Sequence, residues 1–189
     1  MPWEKNFNRD EALGKAMLVF WRLGYDNTPV GELVKATSAS RYGLYDEFGD
    51  KEGLFLEALD EYSKTIVRPR LTEMMSAGAG VKSIEAYFQA LARKPKKELD
   101  GLGCLMCLTA VDFARHNKSA SVKVNSHFSL LHKAFLNALS KNFSASKLNQ
   151  EKMAHFFVGL VQGGAVLSRA RVSQEARSAY YETGLSVLH

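Results

Sequence analysis

The sequence lacks any apolar segment long enough to cross a membrane. No stretch of its 189 residues approaches the roughly 18 uninterrupted apolar residues that a spanning helix needs. The first residues, MPWEKNFNRDE, also lack the apolar core of a secretory signal. We therefore expect a cytoplasmic protein with no membrane partner.

Cysteine is scarce, and its scarcity argues against two kinds of site. The two cysteines, Cys104 and Cys107, do not support a disulfide framework, and a single CxxC pair lacks the second pair typical of structural zinc sites. The sequence also contains no HExxH motif and no glycine-rich phosphate loop. We expect no catalytic residues, no metal and no cofactor, and hence a protein that is not an enzyme.

Alternating strand patterns are absent, and helical periodicity predicts an all-α protein. The N-terminal part predicts a long, a short, a short and a long helix, over about 9–23, 29–36, 41–48 and 50–66, the last ending by Pro69. The residues expected to cap or stop these helices are Asn8, Gly24, Thr28, Ser40, Gly49 and Asp50. Five further helices are expected at about 82–94, 103–116, 119–142, 150–171 and 174–187, which makes about nine in all.

Charge is unevenly distributed along the chain. The formal net charge is +5, yet residues 1–64 hold 8 basic against 12 acidic side chains, whereas residues 65–189 hold 17 against 8. A basic balance favours polyanionic partners, but the N-terminal part is acidic overall. Any nucleic-acid site in that part must therefore depend on where individual charges lie.

The arrangement of the first helices is typical of a helix-turn-helix DNA-binding unit. In such a unit the second short helix, here 41–48, enters the major groove with its N-terminal end first. Arg41 and Tyr42 occupy its first turn, from which side chains reach base edges, and Arg41 suits guanine or a phosphate. Gly43 costs about 1 kcal/mol of helix stability relative to alanine, which indicates a close approach of the backbone to DNA.

Further residues of this region are expected to contact the phosphate backbone. Tyr45 has a hydroxyl that can donate to a phosphate, while Thr28 and Lys51 stand at helix starts, where N–H groups suit phosphate oxygens. The predicted DNA-binding residues are Thr28, Ser40, Arg41, Tyr42, Gly43, Tyr45 and Lys51.

The segment TPVGELVKATSASRYGLYDEFGDKEGLFLEALDEY resembles the DNA-binding domain of the tetracycline-repressor (TetR) family of bacterial regulators. The resemblance covers about residues 9–62. It is carried by Thr28, Ser40, Leu44, Tyr45, Phe48, Lys51, Leu54 and Phe55. Two residues depart from the family pattern. Ser38 occupies a turn position usually held by glycine, which predicts a strained turn, and Tyr42 replaces a smaller residue, so no base preference carries over.

The resemblance implies two domains with different functions. Residues 1–50 would form the helix-turn-helix domain, continuing into the start of the helix at 50–66, and residues 51–189 a helical regulatory and dimerisation domain. It implies a homodimer on a near-palindromic double-stranded DNA operator, an unknown small-molecule effector and, as in most relatives, repression. Effector binding would shift the long fourth helix and release the DNA.

The segment GCLMCLTAVDFARHN resembles a stretch of some TetR subgroups and is expected in the sensing core. The spacing of Cys104, Cys107 and Val111 predicts one helix face. The two thiols are either small buried hydrophobes or an electrophile or oxidant sensor activated by the lysines of 94–97. His127 and Phe128 are candidates to line the effector pocket, with His132 beside them. Scattered histidines, His116 and His155 included, are more often surface or core residues than ligands.

Three small residues are expected to allow close helix packing. Gly159, Gly163 and Gly164 lie at a spacing that lets two helices approach, either across a dimer interface or inside the chain. Two other functions stay open at this point. One is an all-helical thiol-dependent enzyme that uses Cys104 or Cys107, and the other is a helical interaction module without DNA binding.

Overall fold

The computed structural model describes residues 7–93, 95–142 and 146–189, and within these ranges the chain is helical without strands. The helices are α1 (Arg9–Leu23), α2 (Val30–Thr37), α3 (Arg41–Phe48), α4 (Lys51–Tyr62), α5 (Arg68–Leu71), α6 (Val81–Ala92), α7 (Leu105–Asp112), α8 (Lys118–Asn142), α9 (Lys147–Arg169) and α10 (Gln174–Leu185). A π turn, Ser63–Val67, joins α4 to α5, so that these two helices form one continuous helical segment. The described ranges therefore contain nine separate helical segments, in addition to two short 3₁₀ turns. The predicted all-α class is confirmed.

Local capping explains why the first helices begin and end where they do. The side chains of Asn8, Ser40 and Asp50 accept hydrogen bonds from the backbone N–H three residues on, at 3.0, 3.0 and 2.7 Å. Gly24 and Gly49 end α1 and α3 with φ of 80° and 83°, which suits a residue without a Cβ. These predicted caps and stops are confirmed.

The prediction that Thr28 caps the second helix is wrong. The cap position of α2 is Pro29, and no side chain caps it. The Thr28 hydroxyl instead donates to the Gly24 carbonyl at 2.5 Å, and its N–H donates to the Tyr25 carbonyl at 3.2 Å. The fully buried Thr28 therefore closes the connection between α1 and α2 rather than opening α2.

The prediction that the fourth helix ends by Pro69 is also wrong. Pro69 lies inside α5, and the chain stays helical through the π turn that precedes it. Proline lacks an N–H and its ring clashes with the carbonyl four residues earlier in a regular α-helix. The wider π turn changes the hydrogen-bond register just before Pro69, which lets the helix pass it.

The chain packs as two compact units. The N-terminal unit comprises the chain up to Ile66 together with Leu105–Val124, and the C-terminal unit comprises Val67–Cys104 and Asn125–His189. Helix α7 and the start of α8 thus pack with the first four helices. The sequence-based division at residue 50 concerns function and stays a prediction.

Each unit has its own aromatic core. In the N-terminal unit Phe20 and Phe55 have ring centroids 4.9 Å apart, and Phe113 from beyond α7 lies 4.0 Å from Tyr25 and 5.4 Å from Phe55. In the C-terminal unit the ring of Phe88 contacts those of Phe135, Phe157 and Tyr181. No helix among the described residues is both long and apolar enough to cross a membrane.

Candidate nucleic-acid interface

Helix α3 has a buried side and an exposed first turn. Leu44 is fully buried and Phe48 nearly so, because α3 packs against α2 and α4 of the same unit. Arg41 and Tyr42 are exposed, and 72% of Tyr42 is accessible, an unusual value for a large aromatic side chain. The two apolar anchors therefore orient the helix so that its N-terminal residues face outward.

Tyr45 positions Arg41. The Arg41 guanidinium lies 5.4 Å from the centroid of the Tyr45 ring, and Tyr45 itself is half-buried one turn further along α3. A cation over an aromatic face is attracted to it, and this limits the conformations of a long side chain. The pair presents a guanidinium at the start of α3, as recognition of a base edge or a phosphate requires.

Gly43 has a packing role inside the chain. A Cβ built at this position would lie 3.2 Å from the Phe7 ring and 3.2 Å from the Ser40 hydroxyl oxygen, tighter than ordinary van der Waals contact. The missing side chain therefore leaves room for Phe7 and for the cap of α3. The close approach of DNA at Gly43 stays a prediction.

The two residues predicted at neighbouring helix starts differ in what they present. Thr28 is buried, and both its N–H and its hydroxyl donate hydrogen bonds inside the unit. It therefore helps to fix the connection before α2 and presents no polar group at the surface. Lys51 is the first residue of α4 and is half-buried, with its Nζ 4.5 Å from the Tyr25 ring centroid. Burial lowers the pKa of Lys51, and the charge of Asp26 acts in the opposite direction.

Ion pairs and hydrogen bonds engage several of the carboxylates that make this part of the chain acidic. Arg9 joins α1 to Glu47 at 2.6 Å and to Glu57 at 2.5 Å, and these hydrogen bonds raise the pKa of Arg9. Lys123 pairs with Asp60 at 2.6 Å. The sequence offers no signal for the Arg9 pairs, because the partners lie 38 and 48 residues away.

Two of the predicted sensor residues, Cys104 and His127, contact each other in the interior of the C-terminal unit. Cys104 and His127 are both buried, and Sγ lies 3.9 Å from Nε2. The Phe128 ring lies 5.5 Å from that of His127. Within the described part of the chain, Nδ1 of His127 is buried without a hydrogen-bond partner. The structure thus brings Cys104, His127 and Phe128 together.

The expected shared helix face of Cys104, Cys107 and Val111 is wrong. Helix α7 begins only at Leu105, after Gly103 at φ 67°, so helical spacing does not apply to Cys104. Cys107 is half-buried and Val111 is 70% exposed, which excludes Val111 from a buried pocket. Of the lysines expected nearby, Lys94 lies outside the described residues.

The glycines of α9 divide into two groups. A Cβ at Gly163 would collide with the Tyr180 hydroxyl of α10, and a Cβ at Gly164 with the Tyr181 hydroxyl. Both glycines therefore serve packing inside the chain. Gly159 has open space above it and lines a groove of about 640 Å³ between α9 and α10.

The model of the family described as bacterial regulatory proteins, tetR family, matches residues 12–58, which contain the capped and anchored α3. The match agrees with the curated and structural relatives. Residues 12–58 thus form a domain of the TetR family. Over its length the chain is similar to the HTH-type transcriptional repressor ComR of Escherichia coli, 28% identical over 176 residues that cover 90% of this chain and 84% of ComR. The regulator QacR of Staphylococcus aureus is 44% identical over 52 residues, 28% of each chain.

Solved structures of TetR regulators have the same fold. A cysteine mutant of the regulator CifR, complexed with 26-bp double-strand operator DNA, is 25% identical with a TM-score of 0.86, covering 99% of this chain and all of that one. A regulator from Cytophaga hutchinsonii has a TM-score of 0.83 at 16% identity over 95% and 92% of the two chains, which shows the fold alone. The domain match, the similarity to ComR and the similarity to CifR together indicate a transcriptional regulator.

Proposed function

We propose that this regulator is a repressor that binds a near-palindromic operator as a homodimer through α3. The observation that carries the proposal is the pair Arg41 and Tyr42, exposed on the first turn of a helix that Ser40 caps and Leu44 anchors. The complex of CifR with operator DNA supports it by relationship. A helix presented in this way enters the major groove with its N-terminal turn against the base edges.

Arg41 and Tyr42 have different roles in this proposal. The Arg41 guanidinium donates two parallel hydrogen bonds to guanine O6 and N7, a pairing that discriminates against other bases by about 1–3 kcal/mol. The exposed Tyr42 ring reaches an adjacent base or sugar, and its hydroxyl reaches a phosphate. Lys51 and the N–H groups at the start of α4 lie against the backbone phosphates.

The groove between α9 and α10 supports the dimer. It is lined by small and apolar residues around Gly159, including Phe156, which is 45% exposed. An exposed phenylalanine beside an open glycine favours contact with a second helix surface, because burial of apolar area drives association. A two-fold dimer through this groove presents two copies of α3 to two operator half-sites.

The buried pair Cys104 and His127 supports an effector response. A thiol beside an imidazole is a site where oxidants or electrophiles react once the thiolate forms. Cys104 directly precedes Leu105, the first residue of α7, so a change at the thiol is transmitted through the chain to α7. Phe113 follows α7 and contacts Tyr25 and Phe55 of the N-terminal unit. Modification or a ligand at Cys104 thereby favours a state that releases DNA.

Fluorescence anisotropy with DNA from upstream of the chain's own gene tests the proposal. We expect selective, salt-sensitive binding that Arg41→Ala and Tyr42→Ala each weaken at least about fivefold. The matched control is Arg93→Ala, at an exposed arginine of the C-terminal unit, which leaves binding unchanged. A folded, dimeric protein that binds no DNA at any salt concentration contradicts the proposal.

The effector response is tested by the same assay after treatment with peroxide or an alkylating reagent. We expect treatment to weaken DNA binding of the wild type and of Cys107→Ser, but not of Cys104→Ser. His127→Gln should slow the response, because it removes the imidazole 3.9 Å from the thiol. A Cys104→Ser protein that still loses DNA on treatment shows that this thiol is not the sensor.

A further inference from the structure

Two histidines and a glutamate from consecutive helices lie close together in the C-terminal unit. His132 belongs to α8, whereas Glu151 and His155 belong to α9. Each of the three offers a nitrogen or oxygen ligand atom, and these atoms all lie within 4.8 Å of one another. The His132 and His155 rings have centroids 4.2 Å apart, and Nε2 of His132 lies 3.2 Å from Oε2 of Glu151.

One ring nitrogen of this cluster has no hydrogen bond inside the described part of the chain. Nε2 of His132 is buried, and although it is close to Glu151, the two atoms are not in hydrogen-bond geometry. A buried ring nitrogen without a hydrogen bond is costly. A bound cation that shares the carboxylate would satisfy this nitrogen with a coordinate bond.

The helix spacing supports shared coordination. Glu151 and His155 are four residues apart, so they lie on the same face of α9, where two side chains can reach one ion. His132 reaches the same point from α8, with 19% of its side chain exposed, and Glu151 is 37% exposed. The cluster is thus open on one side, which gives an ion a route of entry.

The distances suit a small metal ion. Ligand atoms around a tetrahedral zinc ion are about 3.3 Å apart, given metal–ligand lengths of about 2.0–2.2 Å. The Nε2–Oε2 distance of 3.2 Å already matches this value, and the remaining ligand atoms need to approach by about 1.5 Å at most. Rotation of the exposed His155 side chain provides that movement.

We propose that His132, Glu151 and His155 bind one divalent transition-metal ion of the zinc, nickel and cobalt class, which links α8 to α9. Imidazole nitrogens select such ions, since Mg²⁺ and Ca²⁺ take oxygen ligands and Cu(I) takes soft sulfur. Three protein ligands leave a fourth position for water. The site is independent of Cys104 and Cys107 and of DNA binding.

Isothermal titration of chelator-treated, tag-free protein with ZnCl₂ tests the site, and CoCl₂ gives a visible absorption spectrum that reports the ligand geometry. We expect one ion per chain and a higher unfolding temperature in its presence, because the ion binds the folded state. His132→Gln, Glu151→Gln and His155→Gln should each weaken Zn²⁺ binding at least about tenfold, the lower limit seen even for outer-shell changes.

Matched variants keep the test decisive. His116→Gln changes an exposed histidine outside the cluster and should bind Zn²⁺ like the wild type. The doubly substituted Cys104→Ser, Cys107→Ser protein should also bind like the wild type. Because His155 is exposed, His155→Gln keeps the fold even if a substitution of half-buried His132 does not. The proposal is overturned if no saturable binding occurs, if His155→Gln binds normally, or if only the cysteine variants lose the ion.

Discussion

Ser38 holds a left-handed backbone conformation in the turn between α2 and α3, with φ 58° and ψ 15°. Residues with a Cβ pay roughly 1–2 kcal/mol in this region, which glycine occupies without that steric cost. The turn sets the direction in which α3 leaves α2. The sequence predicted a strained turn here, because serine occupies a position that is usually glycine. The left-handed backbone of Ser38 has that strain.

Replacing this serine by glycine should stabilise the protein. We expect Ser38→Gly to raise the free energy of unfolding by about 0.5–1 kcal/mol. The substitution relieves the backbone strain, and the greater conformational entropy of glycine in the unfolded chain offsets part of that gain. Urea unfolding followed by circular dichroism measures it. Ser126→Gly, on the exposed side of α8, is the control and should destabilise by a similar amount. A loss of stability in both variants would contradict the strain at Ser38.

Ser40 has two separable properties, its hydrogen bond to Gly43 N–H and its proposed position beside DNA. Ser40→Ala should lower the free energy of unfolding by about 1 kcal/mol, because the cap of α3 is lost. Ser40→Asp retains a capping oxygen and should keep near-native stability, while its negative charge weakens DNA binding next to phosphates. Unfolding and anisotropy measured on both variants separate the roles. Equal DNA affinity of Ser40→Asp and the wild type would place Ser40 away from the phosphates.

At the scale of helices, local signals predicted the fold better than the site. The bounds of α1 and α3 and the start of α4 follow from caps and glycines within a few residues, and these were predictable. The passage of the helix through Pro69 was not, because it depends on a π turn for which the sequence pattern gives no signal. Cys104 and His127 are 23 residues apart, and their contact depends on how α8 packs, so spacing in the sequence carries no sign of it.

The contact of α9 with α10 depends on glycines in register with tyrosines. Gly164→Ala should lower the free energy of unfolding by about 1–3 kcal/mol, since its Cβ would collide with Tyr181, whose buried ring has no room to move. Gly163→Ala should cost less, because Tyr180 is only half-buried and can turn away. Thermal unfolding measures both effects.

Gly159→Ala is the matched control for this contact. It adds the same methyl group on the same helix, but into open space, and should be neutral or stabilising by up to about 1 kcal/mol through helix propensity. If alanine at Gly164 were tolerated as well as alanine at Gly159, the close packing of α9 on Tyr181 would be incorrect.

The stability of the whole molecule at alkaline pH depends on its buried tyrosines. Burial raises the pKa of Tyr181 to about 12, with the neighbouring Tyr180 acting in the same direction and Arg177 opposing it. The pKa values of Tyr180 and Tyr25 are also raised, in each case mainly by burial. The ordinary tyrosine pKa in an unfolded chain is about 10. Because the folded value is the higher one, unfolding releases protons above about pH 10 and becomes more favourable as pH rises.

Tyr181→Phe should therefore flatten the loss of stability at high pH. The stabilisation linked to the neutral phenol is complete below about pH 10 and is lost as pH rises towards 12, by about 2–3 kcal/mol in the wild type. Urea unfolding at a series of pH values measures the slope, and the variant should lose less stability than the wild type over this interval. Tyr42→Phe, at an exposed tyrosine, is the control and should follow the wild-type profile. Identical profiles for Tyr181→Phe and the wild type would mean that the Tyr181 phenol ionises as readily in the folded chain as in the unfolded one, and that the core between α9 and α10 is open to water.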